Sequence, residues 1–206
     1  MFIPSFFKIA NAAIIDQFIS NHSFATLISQ GKEYPLATHI PLELEINSKG
    51  QQLLWGHISK GNPQWQAFEK APKVLATFLS PIHHYISSSW YGQANVPTWN
   101  YLSAQVSGHI RIIQGEDLIE SLRRLVDKYE RDSVHPVSFD AMPEQVQQQM
   151  NGIVAFEIQI ERKEASFKLS QNRNDVDFEN VIRELRLSKD PLANALALEM
   201  VKYRNG

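Results

Sequence analysis

The stretch YISSSWYGQANVPTWNY, residues Tyr85–Tyr101, is the most informative part of the sequence for fold and function. It holds three tyrosines, two of the four tryptophans and three consecutive serines. Because Gly92 and the Val96-Pro97 step interrupt regular structure, the stretch is predicted to be a long aromatic loop between strands. Loops usually carry few bulky rings. Two interpretations stay open: rings that cover the end of a barrel, or one wall of a site for a flat ligand.

Composition outside this stretch is that of an ordinary globular protein. The 206 residues are 43% hydrophobic and 20% charged, which predicts one domain with a sizeable core. The net charge of −2 gives no general attraction to nucleic acid or anionic membrane. The absence of cysteine excludes disulfides and thiolate-bound metal clusters. The short, proline-broken N-terminus lacks a signal-peptide pattern, and no apolar run is long enough to span a bilayer, so we expect a cytoplasmic protein.

Hydrophobic periodicity predicts an α+β fold. Strands are expected at about residues 23–29, 34–46, 52–58, 73–79, 101–113 and 153–162, and helices at about 11–21, 63–71, 116–130 and 143–150. The strand at 34–46 is expected to be bulged or at an edge near Pro41, because proline cannot donate a ladder hydrogen bond. The sum is an α+β antiparallel β-barrel over about 23–170 with inserted helices, in a single domain 1–206.

Two helices predicted within about residues 176–204 form a C-terminal hairpin. Leu192, Leu196, Met200 and Tyr203 make the apolar stripe of the second helix. From residue 163 onward eight Lys and Arg stand against seven Asp and Glu, and the second helix begins with Pro, Leu and Ala. A DNA-reading helix begins with polar side chains that reach base edges. We therefore expect a packing hairpin rather than a DNA-reading element.

The segment GHISKGNP, residues 56–63, is the best candidate for binding an anion. Ser59 and Lys60 follow a strand, and Gly61-Asn62 precede a helix that is expected to begin at Pro63. Helix amides, a hydroxyl and an ammonium together suit a phosphate. The alternative is a turn with a solvated lysine, and the segment lacks the glycine-rich pattern of nucleoside-triphosphate loops.

No motif for catalysis by the protein's own side chains is found. Thr38 and His39 would lie on opposite faces of a strand unless Pro41 causes a bulge. The seven histidines show no HExxH pattern, and no metal site is predicted, although His39, His57 and His109 leave haem open as an alternative ligand. Serine-nucleophile and paired-carboxylate motifs are absent, so no catalytic residue is predicted and any redox chemistry would come from a cofactor.

Several of these stretches, in this order, resemble one protein family. MFIPSFF, FATLIS, ATHIPLEL, GHISKGNPQW, YISSSWY…VPTWNY and KLSQNR are similar to the PaiB family of FMN-binding split-barrel proteins, bacterial proteins usually described as negative transcriptional regulators. The resemblance implies FMN as cofactor, a two-fold homodimer and DNA as a partner. Two other functions stay open: a flavin-dependent oxidoreductase of the pyridoxamine-oxidase-like superfamily, or an interaction module without flavin.

The resemblance also implies which residues contact the flavin. In related barrels a segment like Ser59-Lys60 contacts the cofactor phosphate, the ATHIPL strand borders the flavin, and a segment like KLSQNR comes close to it. The candidate FMN contacts are Thr38, His39, His57, Ser59, Lys60, Trp90, Thr98, Trp99, Asn100, Lys168, Ser170 and Gln171.

Overall fold

The structure, a computed structural model, describes residues 1–204. The strands are Lys8–Ile9 (β1), Phe24–Ser29 (β2), Leu36–Pro41 (β3), Glu43–Ile46 (β4), Gln52–Ser59 (β5), Lys73–Leu79 (β6), His84–Ile86 (β7), Thr98–Ile113 (β8) and Ile153–Lys168 (β9). The α-helices are Ala12–Asn21 (α1), Glu116–Glu130 (α2), Glu144–Gln147 (α3), Asp175–Leu187 (α4) and Pro191–Lys202 (α5). Within residues 1–204 no helix has the length and apolar character needed to cross a membrane.

The chain forms two compact units. The barrel unit comprises Ile19–Thr77 and Val106–Lys163, and the terminal unit comprises Met1–Phe18, Phe78–Gln105 and the chain from Glu164 onward. Strands β6, β8 and β9 contribute residues to both units. A single domain over the whole chain stays a prediction.

The sheet of the barrel unit curls because its two outermost strands are neighbours in the chain. The strand order is β3-β2-β6-β8-β9-β5-β4. Strands β3 and β4, at opposite ends of this order, are separated only by Leu42. One residue cannot bridge the width of a flat seven-stranded sheet, in which neighbouring strands lie about 4.8 Å apart. The two edges must therefore approach each other, and the predicted antiparallel barrel of the α+β class is confirmed.

The prediction of one continuous strand over residues 34–46 is wrong. Leu42 and Glu43 are adjacent in sequence and both buried, which breaks the two-residue alternation at the point where β3 ends. The amide of Leu42 donates to the carbonyl of Ser23 at 2.8 Å, outside the ladder. Pro41 has no amide to continue the pairing. The interruption expected near Pro41 is thus confirmed, but it separates two strands rather than bulging one.

Strand β8 follows its sequence pattern closely. Its even-numbered residues from Asn100 to Ile110 are buried, and its odd-numbered residues from Tyr101 to His109 are half-buried. At Gly108 the backbone of β9 approaches closely, because an added Cβ would lie 2.1 Å from the carbonyl oxygen of Gln159. Only glycine fits this strand crossing.

The helices agree with the sequence pattern except for the one after Pro63. Helix α2 spans the predicted Glu116–Glu130, and helices α4 and α5 form the C-terminal hairpin. The inner face of α5 is fully buried at Leu196 and Met200, which confirms a packing role, whereas Leu192 is 40% exposed and does not belong to that face. The helix predicted over 63–71 is a five-residue 3-10 helix, Pro63–Ala67.

Within the terminal unit, short strands pair with the parts of β8 and β9 that belong to it. Strand β1 pairs with β9 at Ser166 and Ala165, and β7 pairs with β8 from Thr98 to Asn100. The connection between β7 and β8 therefore runs from Ser87 to Pro97 and contains the 3-10 helix Ser88–Trp90. The predicted loop ends earlier than expected, since Trp99, Asn100 and Tyr101 belong to β8.

Candidate functional site

Lys60 lies immediately after β5, as the sequence predicts. Its amide donates to the carbonyl of Gly152 at 2.8 Å, and its carbonyl accepts from Nε1 of Trp65 at 3.0 Å. The side chain is exposed, and within residues 1–204 its ammonium makes no hydrogen bond or ion pair. The hydroxyl of Ser59 accepts from the amide of Gly61 at 3.1 Å. The backbone of Lys60 is thus fixed while its charge stays available to a ligand.

The helix amides expected beside Lys60 are not available to an anion. The 3-10 helix after Pro63 is too short for a substantial dipole. Its amide at Gln64 donates to Oδ1 of Asn62 at 3.0 Å. The sequence argument for a helix terminus facing a phosphate is therefore wrong at Pro63, because the Asn62 side chain already caps that turn.

Lys60 also borders a cavity of about 390 Å³ in the barrel unit. Gly115, the residue that caps the N-terminus of α2, lies in its wall with φ of +62° and offers no side-chain cap. Free amides at a helix N-terminus attract anions. Glu116 and Asp117 occupy the same first turn and oppose them. The ammonium of Lys60 is consequently the clearest positive group at this cavity.

Thr38 and His39 point to opposite faces of β3, as the two-residue repeat predicts. The hydroxyl of Thr38 donates to Oε1 of Gln64 at 2.5 Å and accepts from Nδ2 of Asn62 at 2.8 Å. His39 is exposed, and its Nδ1 lies 2.9 Å from Oγ1 of Thr26 across the strand pair. The two residues do not meet at one ligand, and the hydroxyl of Thr38 is engaged by the protein.

His57 lies in a cavity of about 500 Å³ in the barrel unit, between helix α2 and strands β4 and β5. Burial lowers the pKa of this half-buried imidazole, so it is neutral at pH 7. Nε1 of Trp55, in the same wall, is buried without a hydrogen-bond partner among residues 1–204. The guanidinium of Arg124 lies 4.9 Å from the centre of the Trp55 ring. The cavity thus offers an aromatic surface, an indole N–H and a neutral imidazole.

Two ion pairs hold α2 beside this cavity, and the sequence analysis missed them. Glu43 accepts hydrogen bonds from Lys128 and from the hydroxyl of Tyr129, and Glu45 pairs with Arg124 at 3.5 Å. Burial raises the pKa of the Tyr129 hydroxyl, so it stays a proton donor to Glu43. The sequence did contain a signal for these ion pairs. Glu43 and Glu45 are two residues apart in a strand, and Arg124 and Lys128 are four residues apart in a helix, so each pair shares one face.

In the terminal unit, the aromatic stretch exposes one ring prominently. Trp99 is 53% exposed, and its ring contacts those of Tyr85 and His83 at centroid distances of 6.0 and 5.9 Å. Trp90 stacks on His84 at 6.2 Å. About half of the Trp99 side chain is therefore exposed and available for stacking.

The remaining candidates of the terminal unit are engaged within the protein. Asn100 is fully buried and donates to the hydroxyl of Ser170 at 2.9 Å, while Ser170 holds a left-handed φ of 62°. The Gln171 side chain binds the amide of Leu169 and the carbonyl of Phe167. The amine of Lys168 donates to the hydroxyl of Thr98. Burial, and then the nearby Arg173 guanidinium, lower the pKa of Lys168.

Several of the predicted residues are hydrogen-bonded in local pairs. Thr38 with Asn62, Lys168 with Thr98, and Asn100 with Ser170 are each joined by hydrogen bonds. Lys60, His57 and Trp99 keep polar or aromatic surface available to a ligand. Among the described residues, no group of three or more His, Asp or Glu side chains is arranged to hold a metal ion.

Comparison with known proteins identifies the family. Residues 1–162 match the family described as "Putative FMN-binding domain". The chain is 41% identical over 199 residues to Protease synthase and sporulation protein PAI 2 of Bacillus subtilis (strain 168), covering 96% of this chain and 95% of that protein. The predicted resemblance to the PaiB family is thereby confirmed, and so is FMN as the cofactor of the family.

Solved structures show the same fold at low sequence identity. The FAD and heme binding protein from Mycobacterium smegmatis superposes with a TM-score of 0.59 at 14% identity, covering 78% of this chain and 73% of that chain. The flavocytochrome Anf3 from Azotobacter vinelandii gives 0.58 at 16% identity, covering 84% and 75%. With fold, relative and sequence profile in agreement, the chain belongs to the "Putative FMN-binding domain" family of split-barrel proteins.

Proposed function

We propose that this protein binds FMN as a homodimer and acts as a flavin-dependent regulator in the cytoplasm. The observation that carries the FMN assignment is the family match over residues 1–162. The regulatory role, and DNA as a partner, come from the resemblance to the PaiB family. FMN, when bound, supplies reversible electron transfer, and the residues of this chain bind and orient it.

The residues of the barrel unit fit the polar end of FMN. The free ammonium of Lys60 and the hydroxyl of Ser59 suit a phosphate dianion, because charge-assisted hydrogen bonds are strong and short. His57, two residues before Ser59, adds a neutral donor or acceptor. On this proposal Thr38 and His39 contribute to flavin binding from opposite faces of β3. Thr38 contributes by positioning the side chain of Asn62.

The residues of the terminal unit fit a flat ring system. The exposed ring of Trp99 suits stacking on an isoalloxazine, and Trp90, which stacks on His84, offers a further aromatic surface. Thr98, Asn100, Lys168, Ser170 and Gln171 stay predictions of flavin contact. Their engagement with one another supports a role in holding strand β8 and the segment after β9 in a fixed conformation.

The first experiment is an absorption spectrum of the purified protein, with the flavin identified after heat release. Titration with FMN and with riboflavin then tests Lys60. We expect Lys60→Ala to weaken FMN binding about ten- to a hundredfold, since a hydrogen bond to a charged group is worth about 1.5–3 kcal/mol. Riboflavin, which lacks the phosphate, should bind both proteins equally. The exposed Lys49, in the turn after β4, is the matched control as Lys49→Ala.

Other outcomes separate the competing functions. Equal losses of FMN and riboflavin in Lys60→Ala would mean that the phosphate is bound elsewhere. Rapid reduction of the bound flavin by NAD(P)H, measured by stopped flow, would favour an oxidoreductase. A protein that neither carries nor binds flavin would be an interaction module.

An outward sheet face of the barrel unit supports the homodimer. In the register of β2 and β3, Phe24, Thr26 and Ile28 lie opposite Pro41, His39 and Ala37, on the face away from the buried Ala25 and Leu27. Phe24 is 69% exposed. Exposed apolar patches of this kind mark interaction surfaces, and two-fold dimers are the commonest assembly. Light scattering should give twice the 23.6 kDa chain mass, and a monomer mass would refute the dimer.

Any DNA binding should not be directed by the C-terminal hairpin. Its second helix buries Ala193, Leu196, Ala197 and Met200, and the segment from residue 163 onward is nearly neutral. Loss of specific DNA binding on changing the exposed Lys189 or Lys202, with the fold intact, would contradict this assignment.

A further inference from the structure

The terminal unit contains two hydrogen-bond donors that are buried without a partner. Nε of Arg173 and the hydroxyl of Tyr91 have almost no solvent contact and no hydrogen-bond partner among residues 1–204. Both belong to one cluster, since the Arg173 guanidinium lies 4.8 Å from the centre of the Tyr91 ring. Tyr91 is only 8% exposed. Leaving a buried donor without an acceptor is costly, so a bound acceptor is the expected explanation of such groups.

The same cluster carries positive charge without a carboxylate to balance it. Lys168 lies close enough to Arg173 for the two cations to repel each other. Within residues 1–204 neither cation makes an ion pair. The buried carboxylate of Asp177 instead accepts from the amide of Gly92 at 2.7 Å and from Nδ2 of Asn174 at 3.1 Å. Like charges that are partly withdrawn from water destabilise each other unless an anion joins them.

The backbone that holds Arg173 is fixed in an uncommon conformation. Ser170 adopts the left-handed region, which is unfavourable for a non-glycine residue. The Arg173 amide closes the turn on the carbonyl of Ser170 at 3.0 Å, and Asn100 holds the Ser170 hydroxyl. The carbonyl of Arg173 accepts from Arg204 at 3.0 Å. Several contacts therefore fix the backbone at Arg173.

We infer that Arg173, Lys168 and the hydroxyl of Tyr91 form a binding site for an oxyanion, either a phosphate or a carboxylate group of a small molecule. Each group is a donor, and together they supply two positive charges and no negative one. The guanidinium presents a planar set of N–H donors that matches a phosphate or carboxylate, and Lys168 adds a point charge. Lys168 and Arg173 are each half-buried, so part of each cation is exposed to a small ligand.

The inference goes beyond FMN binding and does not require it. Two sources of the oxyanion are distinguishable: the phosphate of FMN itself, or a separate anion such as inorganic phosphate or the acidic group of a substrate. The first would give this cluster the role proposed for Lys60, and the second would define a second ligand site.

The test is thermal unfolding of the full chain in inorganic phosphate, with chloride at equal ionic strength as the baseline. A ligand that binds only the folded protein raises its melting temperature in proportion to its saturation. We expect phosphate to stabilise the natural protein, and Arg173→Gln to need about ten- to a hundredfold more phosphate for the same shift. Arg183→Gln, an exposed cation of α4, is the matched control and should respond as the natural protein does.

A second variant, Tyr91→Phe, keeps the inference testable if Arg173→Gln does not fold. Tyr91→Phe keeps the ring under the guanidinium and removes only the unpartnered hydroxyl. We expect it to fold without loss of stability in chloride and to respond more weakly to phosphate. Titration of flavin-free protein with FMN and riboflavin then identifies the source. If Arg173→Gln weakens FMN binding and leaves riboflavin binding unchanged, the oxyanion bound by this cluster is the phosphate of FMN. If the binding of both flavins is unchanged, the cluster binds a separate anion.

The inference is overturned if Arg173→Gln and Tyr91→Phe fold and match Arg183→Gln in both the phosphate response and the FMN affinity. The two buried donors would then be tolerated without an acceptor.

Discussion

Gln64 gives the most stringent test of the structure, because its side chain is 1% exposed and makes four hydrogen bonds. Its Oε1 accepts from the hydroxyl of Thr38 at 2.5 Å. Its Nε2 lies 3.2 and 3.3 Å from the carbonyl oxygens of Leu27 and Leu36 and 3.0 Å from the hydroxyl oxygen of Ser29, so its two N–H groups are shared among three acceptors. These bonds tie β2 and β3 to the turn after Lys60. In Gln64→Glu an oxygen replaces the nitrogen and faces two carbonyl oxygens at hydrogen-bond distance.

The introduced carboxyl is tolerated only in its protonated form. Burial and the carbonyl oxygens raise its pKa in the folded protein above its ordinary value of about 4.3. Stability is therefore retained below about pH 4.3 and lost as the pH rises towards the folded-state pKa. One pKa unit is about 1.36 kcal/mol, so a carboxyl kept neutral at pH 7 costs about 3.7 kcal/mol, and at pH 5 only about 1 kcal/mol. For a chain of this size the cost at pH 7 lowers Tm by about 7–15 °C.

Circular dichroism melts of the natural protein, Gln64→Glu and Gln66→Glu at pH 7 and pH 5 measure this difference. Gln66 is exposed in the same turn, and surface substitutions usually change stability by less than about 0.5 kcal/mol. Equal melting temperatures of the two variants at pH 7 would refute the buried network. That result would also mean that the Thr38 hydroxyl is not engaged by Gln64 and is available for direct contact with a ligand.

Two further predictions concern the strand crossing and the cavity of the barrel unit. Gly108→Ala should destabilise the protein by several kcal/mol in urea unfolding, because its Cβ would lie 2.1 Å from the Gln159 carbonyl oxygen; Gly152→Ala, which has open space, should be near neutral, and equal effects would contradict the close approach. His57 should titrate below its ordinary pKa of 6.5 in histidine NMR spectra, so its contribution to stability is present above pH 6.5 and is lost as the pH falls towards its folded-state pKa; a value above 6.5 would contradict its burial.

Local rules predicted the parts of the fold that depend on one segment at a time. The alternation of β8 and the spacing of apolar residues in α2 survive in the structure because each element has one buried side. The division at Leu42 was not predictable in the same way. The alternation from Leu36 to Ile46 continues in the sequence, and only the pairing of the Leu42 amide with Ser23 shows where the strand ends.

The site was predicted least well where a polar residue satisfies the backbone of distant strands. Gln64 follows a proline in a polar segment, which predicts an exposed turn, yet its partners Leu27 and Leu36 are more than twenty residues away. Period two did place Trp99 outward and Asn100 inward once β8 is known to begin at Thr98. The sequence did not indicate that β8 begins at Thr98, because Pro97 is as compatible with a continuing loop as with the start of a strand.

A cation without a hydrogen-bond or ion-pair partner is stronger evidence for a bound anion when it is buried than when it is exposed. An exposed ammonium such as Lys60 is well solvated, so lacking a partner costs it little and does not by itself indicate a ligand. The FMN assignment consequently rests on the family match, and Lys60 only specifies where to test it. Arg173 differs, because its Nε is withdrawn from water beside a second cation. A buried donor without an acceptor is costly in any protein, so the geometry at Arg173 argues for an anion independently of the family.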